Sequence, residues 1–402
     1  MGKGLGETME HKEQVRVLRG LMDQLDAGKN IDAGKQVINP AINYLCTDRA
    51  EQEWKSFFQD YPQVLGLSDD LPEANSFFTS DEMGTPILCT RDKEGEFHAF
   101  INSCRHRGTI VETEERGKRT AFSCPFHAWT YNAKGDLVSI PRQDDFGEVD
   151  KSCYSLVELP AEEKHGILWI HPNPNAELNL DENLGDLGAE LASWKLETMT
   201  RDAATEYPHE MNWKLAIDTF GETYHFNVLH KNTLAQTFYA HTTMYDTYKR
   251  NHRMSLCQKG IDTLRDKPES EWDILLGALP AYYLFPNVQL LMTQAGPVLV
   301  RVYPRGANPN DSYSKVTFYL RPEVAQMKGN LEFAEMSDAI SERLQGFGNV
   351  IRDEDYAAAA TSHKGLSSGH IDHVIYGRNE PALHHYHNTY QEALGLPPLE
   401  EV

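Results

Sequence analysis

Four residues constrain this chain more than any others: Cys104 and His106, spaced C-x-H, and Cys124 and His127, spaced C-x-x-H. Seventeen residues, Arg107 to Ser123, separate the two pairs. Two thiolates suit one iron of a [2Fe–2S] cluster and two neutral imidazoles suit the other, and exchanging Cys₂ for His₂ on one iron raises the reduction potential well above that of an all-cysteine ferredoxin. A Cys₂His₂ zinc site is the competing reading. Zinc fingers, however, keep Cys with Cys and His with His along the chain, whereas here each half holds one of each.

The flanking sequence shows how two such loops are delivered. Pro86 to Thr90 and Phe97 to Ile101 are short β-rich runs around the turn signal Asp92-Lys93-Glu94-Gly95, which predicts a hairpin feeding the first loop. Thr120 to Ser123 is a further strand leading into Cys124, and Gly166 to His171 is a buried-strand run that closes the domain near residue 175. Upstream, Val15, Val17, Leu18, Leu21, Met22 and Leu25 form an amphipathic stripe ending near Gly28, read as a peripheral N-terminal helix.

A second polar cluster lies downstream. Met211 to His225 carries Trp213, Ala216, Ile217, Phe220 and Tyr224 at helical spacing, and Asp218, Glu222 and His225, spaced i, i+4, i+7, share another face. A polar stripe on a half-buried helix needs partners, and a metal supplies them. His225 and His230, five apart, stand about 140° apart on a regular helix. They converge on one ion only if the helix ends or distorts just after His225, with Asn227 as a breaker. A mononuclear iron that activates O₂ needs two imidazoles and one carboxylate on one face, and the candidates for the carboxylate are Asp353, Glu354 and Asp355. The runs 281–303 and 315–320 read as successive antiparallel strands that wrap this helix and wall a pocket, followed by a helix from Leu331 to Phe347 and a mostly helical segment through Ala360. The histidines of His384-His385-Tyr386-His387 read as surface or inter-subunit residues of a polar tail.

The motifs C-x-H-R-G and C-P-x-H-x-W-x-Y-x-x-x-G, ending at Gly135, together with Asn212-Trp213-Lys214 and Glu222 to His230, resemble those of the Rieske non-haem iron oxygenases. The resemblance covers both halves of the chain. It implies an α+β protein: an N-terminal helical segment (1–43), a Rieske-type antiparallel β-sandwich (44–175) and a catalytic domain whose antiparallel sheet wraps helices in helix-grip fashion (176–402). It implies that Cys104, His106, Cys124 and His127 hold the cluster, and that His225, His230 and Asp355 hold the mononuclear Fe(II). Asp355 is chosen because Glu354-Asp355 and His363-Lys364-Gly365-Leu366 match the family's Glu-Asp pair and its later Gln-x-Gly-Leu, His363 standing where the family has glutamine. Glu222 occupies the position thought to bridge a neighbour's cluster histidine to the iron histidine. The well-known ring-hydroxylating dioxygenases usually carry aspartate there, and some members acting on quaternary ammonium compounds carry glutamate.

The function so implied is that of a terminal oxygenase. Electrons from NAD(P)H pass through a ferredoxin or flavin reductase to the cluster and then to the iron, and O₂ is used to hydroxylate or dihydroxylate an organic, aromatic substrate. The alternatives are a monooxygenase or demethylase of a quaternary ammonium compound and, from another class, a Rieske electron carrier fused to a ligand-binding domain. The assembly expected is a homotrimer, with or without a small β subunit, and the expected donor-docking face is Arg105, Arg107, Arg116, Lys118 and Arg119. A net charge of −22 argues against nucleic acid or an anionic membrane as partner. With no run of 18 apolar residues and six cysteines in no pairing pattern, the expectation is a cytoplasmic protein.

Overall fold

The computed structural model describes residues 9–328 and 334–402, apart from a few side chains between 334 and 341. The chain divides into two compact units: one of Trp54–Asn179 with Leu196–Thr198, the other of the chain up to Glu53, Leu180–Lys195 and everything from Met199 onward. The boundaries therefore fall later than 44 and 175, and the N-terminal segment is part of the second unit rather than a separate piece.

The first unit is built from short antiparallel strands. Its five-stranded sheet runs, in spatial order, Glu158–Leu159, Phe97–Ile101, Ile87–Arg91, Ser76–Ser80 and Arg116–Lys118. The predicted hairpin is present in register, Ile87 opposite Ile101 and Arg91 opposite Phe97, and Gly95 turns it with a positive φ. Two three-stranded sheets complete the unit: Ala161–Lys164, Ile167–Ile170 and Gln63–Leu67 in one, Ala121–Ser123, Thr130–Asn132 and Leu137–Ser139 in the other. Alternate side chains of these strands point inward and form a core of Phe77, Leu88, Phe100, Phe122, Trp129, Tyr131 and their neighbours, into which Cys104 and Cys124 are drawn.

The second unit is organised on a seven-stranded antiparallel sheet, in spatial order Thr200–His209, Ser312–Leu320, Pro297–Pro304, Val288–Met292, Ala278–Leu284, Asn251–Gln258 and Phe238–Tyr248. Its central strands are buried on both faces, in keeping with their mostly apolar sequences. The helices Trp213–Asp218, Ala357–Leu366 and Pro381–Ala393 belong to the same unit. Ala334–Val350 is helical, so of the helix expected from Leu331 the residues 331–333 lie outside the described ones.

The N-terminal helix, His11–Ala27, is not peripheral. Val17, Leu18 and Leu21 are inaccessible to solvent, and Gly28 ends the helix in the left-handed region. A buried cation ties it down: the Arg253 guanidinium, with no exposed surface, pairs with Glu13 at 2.6 Å, Glu190 at 2.5 Å and Asp246 at 2.6 Å.

Candidate active site

The two cluster loops are copies of one backbone device. The Cys104 N–H donates to Thr109 O and the Gly108 N–H to Cys104 O; twenty residues on, the Cys124 N–H donates to Trp129 O and the Ala128 N–H to Cys124 O. Gly108 and Ala128, four residues after each cysteine, both have positive φ, and this tight reversal returns the histidine to its cysteine's side. The cysteines are buried, His127 is exposed and His106 is half-buried. The imidazole centroids stand 4.7 Å apart, with Trp129 stacked on His106 at 5.1 Å. Burial, helped by His127 and Arg107 nearby, holds the His106 imidazole below its ordinary pKa, the neutral form a metal requires. Burial raises the Cys124 thiol, while backbone N–H groups of Phe126 and His127 work the other way. The Tyr131 hydroxyl lies 3.4 Å from Cys104 Sγ and accepts the Arg105 N–H. Two buried sulfurs and two imidazoles at one end of a core form a donor set that fits a [2Fe–2S] cluster.

Around the cluster loops the expected docking face is not a free basic patch. Arg116 pairs with Asp70, Lys118 with Glu73, and Arg119 with both Glu112 and Glu114, so most of its charge is neutralised locally. Sequence proximity gathered the cations, but Arg116, Lys118 and Arg119 each stand beside an acid. Arg105 and Arg107 remain exposed.

At the second site the structure brings His225, His230 and Asp355 together. The helix expected across Met211 to His225 stops at Asp218, earlier than supposed, so Asp218, Glu222 and His225 share no helix face. The chain then turns through Gly221, where an added Cβ would lie 2.5 Å from Leu383 Cδ2 and 2.8 Å from Tyr386 Cε2, so a larger residue would have to displace these side chains. A further turn, with Leu229 N–H on His225 O at 2.8 Å, carries the chain on to His230, which faces His225. Asp355 comes from the π-helical turn Ile351–Tyr356, a wide turn often found at functional sites.

The three facing atoms form a triangle. His225 Nε2 and His230 Nε2 are 3.1 Å apart, and Asp355 Oδ1 is 3.1 Å from the latter and 3.3 Å from the former. Ligands about 2.1 Å from one ion and 90° apart stand about 3.0 Å from each other, which is the spacing of a two-histidine, one-carboxylate facial site. Each imidazole has its far nitrogen backed by a different carboxylate. Glu222 accepts from His225 Nδ1, and Glu354 accepts from His230 Nδ1 at 2.7 Å and from Thr233 Oγ1 at 2.9 Å. Burial opposes a charge on His225, but the bonds to Asp355 and Glu222 outweigh it and lift its pKa to about 9. Asp353 takes no part, being paired with Arg352 at the surface. His363 is buried elsewhere, against Asn310.

A largely apolar pocket, partly open to solvent, lies over this triangle. Phe226 and Leu234 come from the ligand segment, Phe238, Leu256, Leu279 and Leu291 from the sheet, and Phe347, Val350 and Ile351 from the helix leading to Asp355. Apart from the triangle, Thr219 and Glu222 are the polar residues among the described lining. Phe347, Val350 and Ile351 are pocket residues that the sequence does not single out; their positions four to eight residues before the carboxylate, within about two helical turns, are the available signal. The histidines 384–387 are misplaced by the sequence reading. They belong to the helix Pro381–Ala393, where His384 and His387 are buried.

A family model of the ring-hydroxylating α subunit catalytic domain matches residues 196–396, and one of the Rieske [2Fe-2S] domain matches residues 61–156. The chain belongs to the ring-hydroxylating oxygenase α-subunit family. This Rieske oxygenase is 26% identical to the chloroplastic choline monooxygenase of Spinacia oleracea over 350 residues, 83% of this chain and 72% of the relative. Its fold matches that of the quaternary ammonium Rieske monooxygenase CntA in complex with L-carnitine, with a TM-score of 0.72 and 19% identity, covering 89% of this chain and 95% of that one. It also matches naphthalene 1,2-dioxygenase with indole in the active site, with a TM-score of 0.69 and 18% identity over 90% and 93% of the two chains. The protein is thus an O₂-using oxidoreductase, the terminal component of a Rieske oxygenase, with a [2Fe–2S] cluster and a mononuclear iron as cofactors. Among the described residues no helix is long and apolar enough to cross a membrane.

Proposed function

We propose that His225, His230 and Asp355 hold the mononuclear iron, that Cys104, His106, Cys124 and His127 hold the cluster, and that the enzyme hydroxylates an uncharged, ring-containing organic compound. The observation that carries the substrate reading is the pocket wall, which is aliphatic and phenylalanine-lined, with no Arg or Lys among the described lining residues to anchor an acid. The iron supplies O₂ activation when bound. The chain's own part is to hold the substrate's ring in the dry space beside it, with Glu222 and Glu354 fixing the imidazoles in the tautomer that leaves Nε2 free for the metal.

A second reading, oxidation of a quaternary ammonium compound, is favoured by Glu222 and by the resemblance to choline monooxygenase over most of the chain. Against it stands the make-up of the wall: the described lining residues include no Tyr or Trp, and aliphatic side chains share the wall with the phenylalanines. A substrate panel decides: O₂ uptake coupled to product with naphthalene or indene supports the first reading, and coupling only with choline or carnitine overturns it in favour of the second.

We further propose that electrons come from a ferredoxin or flavin reductase and cross between subunits of a homotrimer, each cluster serving a neighbour's iron through Glu222. The support is the exposed apolar surface at both ends of such a route, Phe126 and Phe146 around the cluster loops and Tyr224 and Val228 beside Glu222. Mixing a Cys124→Ser chain with an Asp355→Ala chain restores partial turnover if the route crosses subunits. No restoration in reassembled mixtures contradicts it.

A further inference from the structure

A closed polar network lies behind the iron-ligand turn. Asp218, the last residue of the helix before Glu222, has both carboxylate oxygens taken: Tyr44 OH donates to Oδ2 at 2.7 Å, and His387 Nε2 lies 2.8 Å from Oδ1. Asn39 fixes the direction of these bonds. Its Oδ1 accepts from Asn43 Nδ2 at 2.7 Å, so its own Nδ2 faces Tyr376 OH at 2.9 Å and His387 Nδ1 at 3.1 Å as a donor. His387 Nδ1 is therefore the acceptor, and the proton sits on Nε2, aimed at Asp218. Tyr376 OH closes the ring on Tyr44. The members come from separate elements, and Asn39, Tyr44, Tyr376 and His387 are buried.

We infer that Asp218, with Tyr44 and His387, is a positioning unit that sets where Glu222 stands behind His225. The connection is short. Asp218 begins the four-residue turn that ends at Gly221, immediately before Glu222, and the Gly221 N–H donates to Asp218 O at 2.9 Å. The helix bearing His387 also presses Leu383 and Tyr386 onto Gly221, so the two ends of the turn are held by one element. A satisfied buried network of this kind has one geometry and is intolerant of reversal of a single bond. The inference rests on the proposed role of Glu222 and His225 at the iron.

Asp218→Asn changes no volume but turns one acceptor into a donor. Fe(II) titration of the metal-free, cluster-loaded protein is expected to show about a tenfold loss of affinity, the low end of what removing a carboxylate behind a metal-bound histidine does, with the cluster spectrum unchanged. Tyr44→Phe, which removes one hydroxyl, is the second perturbation and lowers affinity in the same sense. His387→Gln, which keeps an N–H donor, retains near-normal affinity, whereas His387→Leu does not. Because Asp218 acts through Glu222, the Asp218→Asn, Glu222→Gln double variant binds iron no more weakly than Glu222→Gln alone. Additive losses, or normal affinity in both Asp218→Asn and Tyr44→Phe while Glu222→Gln is impaired, overturn the inference. Normal affinity in Glu222→Gln itself overturns instead the reading on which it rests.

Discussion

Glu354 and Asp355 are adjacent, yet they reach opposite nitrogens of one imidazole, and replacing each in turn separates a ligand from its support. Glu354 Oε2 takes two hydrogen bonds, from His230 Nδ1 at 2.7 Å and Thr233 Oγ1 at 2.9 Å, and its side chain is 25% exposed. Loss of a carboxylate behind a metal-bound histidine costs about 10- to 100-fold in metal affinity, or roughly 1.4–2.7 kcal/mol. Partial solvent access lets water replace some of what is lost. Glu354→Gln, which keeps an acceptor, should therefore fall near the lower figure and Glu354→Ala near the upper one. Asp355→Ala removes the proposed direct ligand and should leave no stoichiometric iron. Anaerobic Fe(II) titration of the metal-free site, with the cluster's EPR signal as an internal control, measures all three. Iron retained in Asp355→Ala and absent in Glu354→Gln would show the two roles exchanged, and an unchanged affinity in Glu354→Ala would show that the Nδ1 bond does not matter.

Two further predictions concern stability. Arg253→Met leaves the Glu190 carboxylate, 10% exposed, without its cation, and leaves Glu13 and Asp246 paired with Arg16 alone. Breaking one partner out of such a pair costs 3–5 kcal/mol, and because Glu13 and Asp246 are partly solvated the loss should be about 3 kcal/mol, read as a lowered thermal midpoint of the unit that holds the N-terminal helix; a loss under about 1 kcal/mol refutes the tether. His209 is buried against Tyr356 and Ser312, and burial lowers its pKa to about 4. Its folded value lies below the unfolded one, so its contribution is complete above about pH 6.5 and is lost as the pH falls towards 4, by about 3 kcal/mol in full. His209→Gln should flatten that part of the stability profile, and an unaltered profile counts against a neutral buried His209.

Much of this was legible because metal chemistry restricts residue choice. The C-x-H and C-x-x-H pairs, and two histidines five apart, have few uses in combination, and strands around them followed from short alternating runs and the Asp92–Gly95 turn. Errors arose where tertiary partners decided. Helical periodicity from Trp213 to Tyr224 suggested one helix, but Gly221 had to admit Leu383 and Tyr386, and the chain turned. His387 looked like a polar-tail residue because its partners, Tyr44 and Asp218, lie more than 160 residues away. The basic run from Arg116 to Arg119 is cationic only in sequence, since its acids come from Asp70, Glu73 and the segment just before it. Glu354 is the instructive case: its neighbours marked a carboxylate site, but which of two adjacent acids met which nitrogen depended on a π-helical turn that sequence does not reveal.

We propose that one chain holds two distinct iron centres on two separate ligand sets. EPR of the anaerobically reduced protein treated with nitric oxide, which binds ferrous iron with open positions, reads both at once. A reduced-cluster signal and an iron–nitrosyl signal are expected in the unaltered protein, only the first in His230→Ala and Asp355→Ala, and only the second in Cys124→Ser. A nitrosyl signal that persists in both His230→Ala and Asp355→Ala, or a cluster signal that survives Cys124→Ser, would contradict it.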